Sequence, residues 1–301
     1  MHVLVSGSSG LIGSALRRSL LQDGHRVTRL VRAAPRPGDD AVLWDPSGAA
    51  DPAGLSGADA VVHLAGEHIA SGRWTAAKRA RIRHSRVDGT RVLAETLARA
   101  DARPGALICA SAVGFYGDRG EEVLREDSPP GSGFLPEVCR AWEAAAAPAA
   151  KAGIRVVHLR FGMVLSPSGG ALAMMLPVFR LGLGGRLGGG RQYQSWISID
   201  DAVGVIRHAM TEPRLTGPVN AVAPGAPTNA EFTRALGRAL KRPAGFPVPA
   251  FAVRLLFGGM ADEVLLASAR AEPAKLLGTG YRFHHPEPAG ALEALLRGPT
   301  G

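Results

Sequence analysis

Apolar runs that end in Gly, Asp or Ser recur along the first half of the chain, separated by stretches in which apolar positions return every three or four residues. The runs predict strands at 2–6, 26–31, 60–64, 106–111 and 155–160, and the intervening periodicity predicts helices near 11–22, 75–100 and 134–151. Strands alternating with helices imply an α/β fold: a Rossmann doubly wound parallel sheet built from right-handed crossovers. In such a sheet a ligand lies across the carboxyl ends of the strands, at the point where the strand order reverses. The loops that matter therefore begin at Ser6, Arg32, Leu64, Ser111 and Arg160.

Beyond residue 165 the pattern changes. A Met- and Leu-rich helix near 170–181 runs into a glycine-rich loop, Gly182 to Gly190, that contains Arg186. Tyr193 to Ile199 reads as a strand, with Asp200-Asp201 expected to cap a helix to about 211, since a carboxylate there accepts free N–H bonds. Val219–Val222 predicts a further strand, and Thr228-Asn229-Ala230-Glu231 has the spacing of a capping box opening a helix to about 240. The remainder is helical and rich in proline. This divides the chain into a Rossmann domain at 1–165, to which 196–225 returns, and a smaller, mostly helical substrate-side lobe at 166–195 and 226–301.

The chemistry enters with Val3-Leu4-Val5-Ser6-Gly7-Ser8-Ser9-Gly10-Leu11-Ile12-Gly13. With 39 glycines in 301 residues, G-x-x-G-x-x-G spacing alone says little, but here it joins a strand to a helix start. Gly7 permits the tight turn, Gly10 lets backbone approach a pyrophosphate, and Gly13 lets the helix pack closely. The helix start adds free N–H groups and a favourable dipole for phosphate.

Cofactor type turns on the second strand. An acid at its tip normally bonds the adenosine ribose 2′-hydroxyl, whereas this strand ends Arg29-Leu30-Val31-Arg32. An acid would repel a 2′-phosphate, while a guanidinium can bond it in a fork and stack on adenine. Arg32 thus points to NADP(H) rather than NAD(H); the ordinary alternative is a solvated arginine at a strand end.

Charge and composition narrow the partners. A net charge of +9 invites nucleic acid, but the arginines are scattered and aromatics make up only 5%, so no stacking platform is formed. The expected partner is a small molecule, with neither nucleic acid nor membrane, and the protein is expected as a monomer or homodimer. The apolar stretch 248–269 is interrupted by Arg254, Asp262 and Glu263, and the N-terminus has no basic region followed by a cleavage site. Cys109 and Cys139 are too few for a disulfide framework and lack metal-ligand spacing, which fits a reduced cytoplasm and no metal.

Several segments together resemble the extended short-chain dehydrogenase/reductase superfamily: the Gly7–Gly13 turn, Asp59-Ala60-Val61-Val62-His63-Leu64-Ala65-Gly66, Ser111 to Gly117, Glu126-Asp127-Ser128-Pro129, and Trp196 to Asp201. The chain is similar in particular to an atypical "epimerase family" subgroup with its own C-terminal domain, here about 247–296. The marks of that subgroup are Trp44-Asp45-Pro46, Ala65-Gly66-Glu67, Ser85 to Thr90, Cys139 to Glu143, Gly182 to Gly185, Pro249-Ala250-Phe251, Pro273 to Leu277 and Gly280 to Phe283. The resemblance implies NADP(H) held by Gly7, Gly10, Leu11, Ile12, Gly13 and Arg32, by the loop Leu64-Ala65-Gly66-Glu67, by Arg86, and by Arg160 on the nicotinamide side. It also implies an oxidoreductase or epimerase-like reaction on a small carbonyl or hydroxyl substrate.

One departure concerns the reaction itself. The superfamily places Tyr-x-x-x-Lys on a helix, one side chain above the other, so that the lysine lowers the phenol's pKa for proton exchange. Counting back from Glu143, that pair falls on Leu135 and Cys139, and no one-residue shift restores it. Ser111 keeps the position of the superfamily's catalytic serine. The substitute acids open to the chain are Tyr116 and Cys139, then Glu67 and Glu137, and the alternative to catalysis is a cofactor-binding sensor. Met174, Met175, Tyr193 and Trp196 would supply either an apolar pocket wall or ordinary core.

Overall fold

The computed structural model describes residues 1–46, 48 and 53–297. Its central sheet contains β1 (His2–Ser6), β2 (Arg26–Val31), β3 (Ala41–Leu43), β4 (Ala60–His63) and β5 (Ala106–Ala112). After the short β6 (Val123–Leu124) it adds β7 (Arg155–Phe161) and, beyond β8 (Met163–Leu165) and β9 (Trp196–Ser198), β10 (Gly217–Ala221). The order is β3-β2-β1-β4-β5-β7-β10 and every pair is parallel. Strand order reverses between β1 and β4, so the crevice for a ligand opens beyond Ser6 and His63.

The apolar runs are nearly continuous because both faces of the sheet are covered. Val3, Val5, Val62, Ile108, Val157 and Leu159 face one layer, which includes α1 (Leu11–Gln22) and, later in the chain, the helix Ile199–Thr211. Leu4, Val61, Leu107 and Cys109 alternate onto the other, packed by α2 (Ala76–Arg99). The expected helix at 134–151 is two helices, α3 (Phe134–Ala144) and α4 (Ala147–Lys151). Pro148 sits in the first turn of the second, where its missing N–H does no harm; inside one long helix it would.

The later helices are α5 (Gly170–Arg180), α6 (Ile199–Thr211), α7 (Asn229–Leu240), α8 (Ala250–Phe257), α9 (Ala274–Gly278) and α10 (Pro288–Arg297). The Thr228/Glu231 capping box is present in full. Asp200 and Asp201 do not cap α6: Ser198 does, its Oγ accepting from the Asp201 N–H at 3.0 Å. Asp201 turns its carboxylate to the C-terminal segment, accepting from the N–H groups of His284 (2.7 Å) and His285 (3.0 Å). Trp196, with Leu172, Leu176, Phe232 and Leu292, belongs to a second apolar core, whereas Met174 is exposed. Two-stranded ladders pair β6 with β11 (Arg270–Ala271) and β8 with β9. Among the described residues, no helix is long and apolar enough to cross a membrane.

Candidate cofactor cleft and its reactive end

The glycine turn is built as its spacing requires. Gly7 takes φ +66°, and a Cβ there would stand 2.7 Å from the Leu64 carbonyl carbon. A Cβ on Gly13 would stand 2.2 Å from the Gly7 carbonyl oxygen, so the helix start and the turn are in contact. Gly10 precedes α1 with no side-chain cap, and the first turn carries no acid. Its N–H groups are left for an anionic ligand. Leu11 and Ile12 form that first turn, with Leu11 lying against Gly169 and Gly170 at the start of α5.

The second wall is the loop after β4. Leu64 N–H donates to the Ser6 carbonyl and Ala65 N–H to Ser6 Oγ, while Ser6 Oγ meets His63 Nδ1 at 2.6 Å. Burial holds the His63 pKa down to about 4, so the ring is neutral and the dyad is a fixed brace between the two cofactor loops. Arg86 lies beneath the loop: Nη1 donates to the Glu67 carbonyl at 3.0 Å, and the guanidinium stacks 5.0 Å from the Trp142 ring centroid. Its burial lowers the guanidinium pKa. Glu67 turns away to the buried Lys78, at 2.6 Å, and the ammonium beside it lowers its carboxyl pKa. Arg32 is exposed at the end of β2 and has no partner among the described residues.

The sequence candidates for the reactive end are buried side chains. Ser111 is buried, and its hydroxyl donates to Glu143 Oε1 at 2.7 Å. Arg160 is 3% exposed and makes a two-pronged pair with Glu143, both contacts 2.8 Å, while stacking on the Phe115 ring. Tyr116 is wholly buried; its hydroxyl accepts from Arg160 Nη1 and donates to Asn220 Oδ1 at 2.7 Å. Burial raises the phenol's pKa against the opposing pull of Arg160. Cys139 is buried with its thiol pushed up to about 12, chiefly by burial. Ser111, Arg160 and Tyr116 thus share one buried hydrogen-bonded network with Glu143 and Asn220, and Cys139 is packed in the same cluster as Tyr116.

Leu135, at the expected tyrosine position, instead marks a junction with the C-terminal lobe. Its N–H donates to Glu263 Oε2 at 2.7 Å, and the N–H of Phe134 reaches Glu263 Oε1. Glu263 is the carboxylate brought to this end, and sequence reasoning missed it because 128 residues separate it from Leu135. Asn220, 104 residues from Tyr116, was missed for the same reason, and Glu143 because its partners Ser111 and Arg160 come from two other elements. Tyr193 lies under the Arg270 guanidinium, and Glu137 has no role in this network.

Comparison with known proteins settles the family. The model of the "NAD dependent epimerase/dehydratase family" matches residues 3–222, and "Domain of unknown function (DUF1731)" matches 248–295. The chain belongs to the NAD dependent epimerase/dehydratase family. It is 49% identical over 284 residues to the epimerase family protein MT2273 of Mycobacterium tuberculosis, covering 94% of this chain and 93% of that one. Its fold matches the crystal structure of the human epimerase family protein SDR39U1 (isoform 2) with NADPH at a TM-score of 0.91 and 37% identity, covering 99% and 100% of the two chains. A nucleoside-diphosphate sugar epimerase from Corynebacterium glutamicum matches at 0.80 and 38%, over 98% of this chain and 58% of that one.

Proposed function

We propose that this family member is an NADP(H)-dependent oxidoreductase that acts on a small carbonyl or hydroxyl substrate. The observation that carries the reading is the uncapped, acid-free start of α1 behind Gly7 and Gly13, with an unpaired Arg32 at the tip of the neighbouring strand. These residues suit the cofactor: α1 N–H groups for the pyrophosphate, the Arg32 guanidinium for the 2′-phosphate, and the Leu64–Gly66 backbone alongside. The similarity to a human protein crystallised with NADPH supports the same choice. When bound, the cofactor supplies or accepts hydride.

The chain's own contribution is positional. The Ser6–His63 brace and Arg86 fix the loop beside the cofactor, and the buried Glu143–Arg160 pair fixes α3 against the sheet. Proton exchange falls to a group other than Tyr116 or Cys139, both held in the interior. That observation also favours a second reading, a cofactor-binding sensor without turnover. The two are separated by calorimetric titration with NADPH and NADH, followed by NADPH oxidation against a panel of aldehydes and ketones. Tight NADPH binding with substrate-dependent oxidation supports the enzyme; tight binding with no oxidation supports the sensor; preference for NADH overturns the cofactor choice.

A further inference from the structure

Arg79, in the first turn of α2, is the one guanidinium that packs against the opening residue of α3: its central carbon lies 5.2 Å from the Phe134 ring centroid. The residue is half-buried, its Nε is shut off from solvent, and no hydrogen-bond acceptor meets it. Leaving such a donor unpaired is costly, because burial removes water and nothing replaces it. The neighbouring carboxylates are all engaged elsewhere. Glu67 holds Lys78 and Arg81, Asp262 holds Arg254, and Glu263 accepts the N–H groups of Phe134 and Leu135. Arg79 enters no ion pair among the described residues.

The surroundings fit a ligand with an apolar body. Trp74 packs edge-on to Phe134 at 5.4 Å, in a cluster with Ile82, Met260 and Leu265, and its own indole N–H is already bonded to the Ile69 carbonyl. Opposite Arg79 the chain is Gly258-Gly259: a Cβ on Gly259 would stand 2.7 Å from Arg79 Nη2, so backbone without side chains borders the guanidinium. Arg79 also stands seven residues before Arg86 on the same face of α2, roughly 10 Å from it along the helix axis at 1.5 Å per residue. That offset suits a substrate lying beyond the cofactor.

We propose that Arg79 binds the anionic group of the substrate, a carboxylate or phosphate, with the ligand's apolar part against the half-buried Phe134 ring. The inference rests on the oxidoreductase reading for the name "substrate", but the anion site stands or falls by itself. A guanidinium stacked on a ring is pre-oriented to take such a group with two parallel bonds.

The test is calorimetric titration of the full chain, saturated with NADPH and without it, using benzoate, its neutral isostere benzamide, and inorganic phosphate. The wild type should bind benzoate at least tenfold more tightly than benzamide. Arg79→Gln should lose that preference with its NADPH affinity unchanged. Gly259→Glu, which sets a carboxylate beside Arg79, should lose it too, and it decides the matter if Arg79→Gln fails to fold. Phosphate binding in the NADPH-saturated protein that disappears with Arg79 supports a phosphate-bearing substrate; benzoate binding alone supports a carboxylate. No preference for benzoate in the wild type, a preference that survives in Arg79→Gln, or displacement of NADPH by benzoate would overturn the proposal. Failure of NADPH binding would instead sink the cofactor reading and leave the anion result standing.

Discussion

The Ser111 hydroxyl donates to Glu143, and the same carboxylate grips Arg160. One acid thus ties the end of β5 to the end of β7 from the third turn of α3. Removing either partner of such a pair leaves an uncompensated buried charge, typically about 3–5 kcal/mol. Glu143→Ala should lower stability by that order in a denaturant melt. Tyr116→Phe, which removes the hydroxyl's bonds to Asn220 and Arg160 and leaves these buried partners short, should lose about 1–3 kcal/mol and leave NADPH oxidation unchanged. A collapse of turnover in a stable Tyr116→Phe protein would return the acid's role to the phenol.

Arg32→Ala should weaken NADPH and spare NADH. A charge-assisted bond to a phosphate contributes about 1.5–3 kcal/mol, or roughly 10- to 150-fold in affinity. The two dissociation constants, measured for both proteins, check this directly, and equal NADPH binding by both would remove Arg32 from the site.

Gly13→Ala places a methyl against the Gly7 carbonyl, which is backbone and cannot rotate aside. Overpacking of this kind costs about 1–3 kcal/mol. The helix start must also shift, so the expected outcome is a lower melting temperature together with weaker NADPH binding. The same change at Gly245, where a Cβ meets nothing and the backbone is outside the left-handed region, should leave melting temperature and NADPH binding as they are and serves as the control.

His63 makes stability depend on pH. Its folded pKa of about 4 lies below the ordinary 6.5, so between those values the unfolded chain binds a proton that the folded chain refuses. The stabilisation is complete above pH 6.5 and is lost as pH falls towards 4, a loss of about 3 kcal/mol for this shift. Denaturant melts of the wild type and His63→Gln across this window should show a steeper pH slope in the wild type.

Strands and helices of the first half were legible because each buried run is long enough to carry its period. The three-residue β3 is not, and it escaped notice. The glycine turn was legible because it is local: Gly7, Gly10 and Gly13 act on one another and on the adjacent Leu64 loop. The reactive end was not, since a linear motif does not say which way a side chain points. Ser111 can be named by its position in the sequence, but its acceptor Glu143 lies 32 residues away on α3. Glu263 and Arg79 were invisible for another reason: their roles arise where the C-terminal lobe meets α2 and α3, from residues more than a hundred positions apart.

Asp201 binds two backbone N–H groups at 284–285, and the Tyr281 hydroxyl lies 3.2 Å from the Asp201 carbonyl, in the place a side chain on Gly204 would occupy. The tail is thereby riveted to the far side of the same helix whose start follows β9. Held to α6 at 281, 284 and 285, the C-terminal segment belongs to the same packed unit as the central sheet.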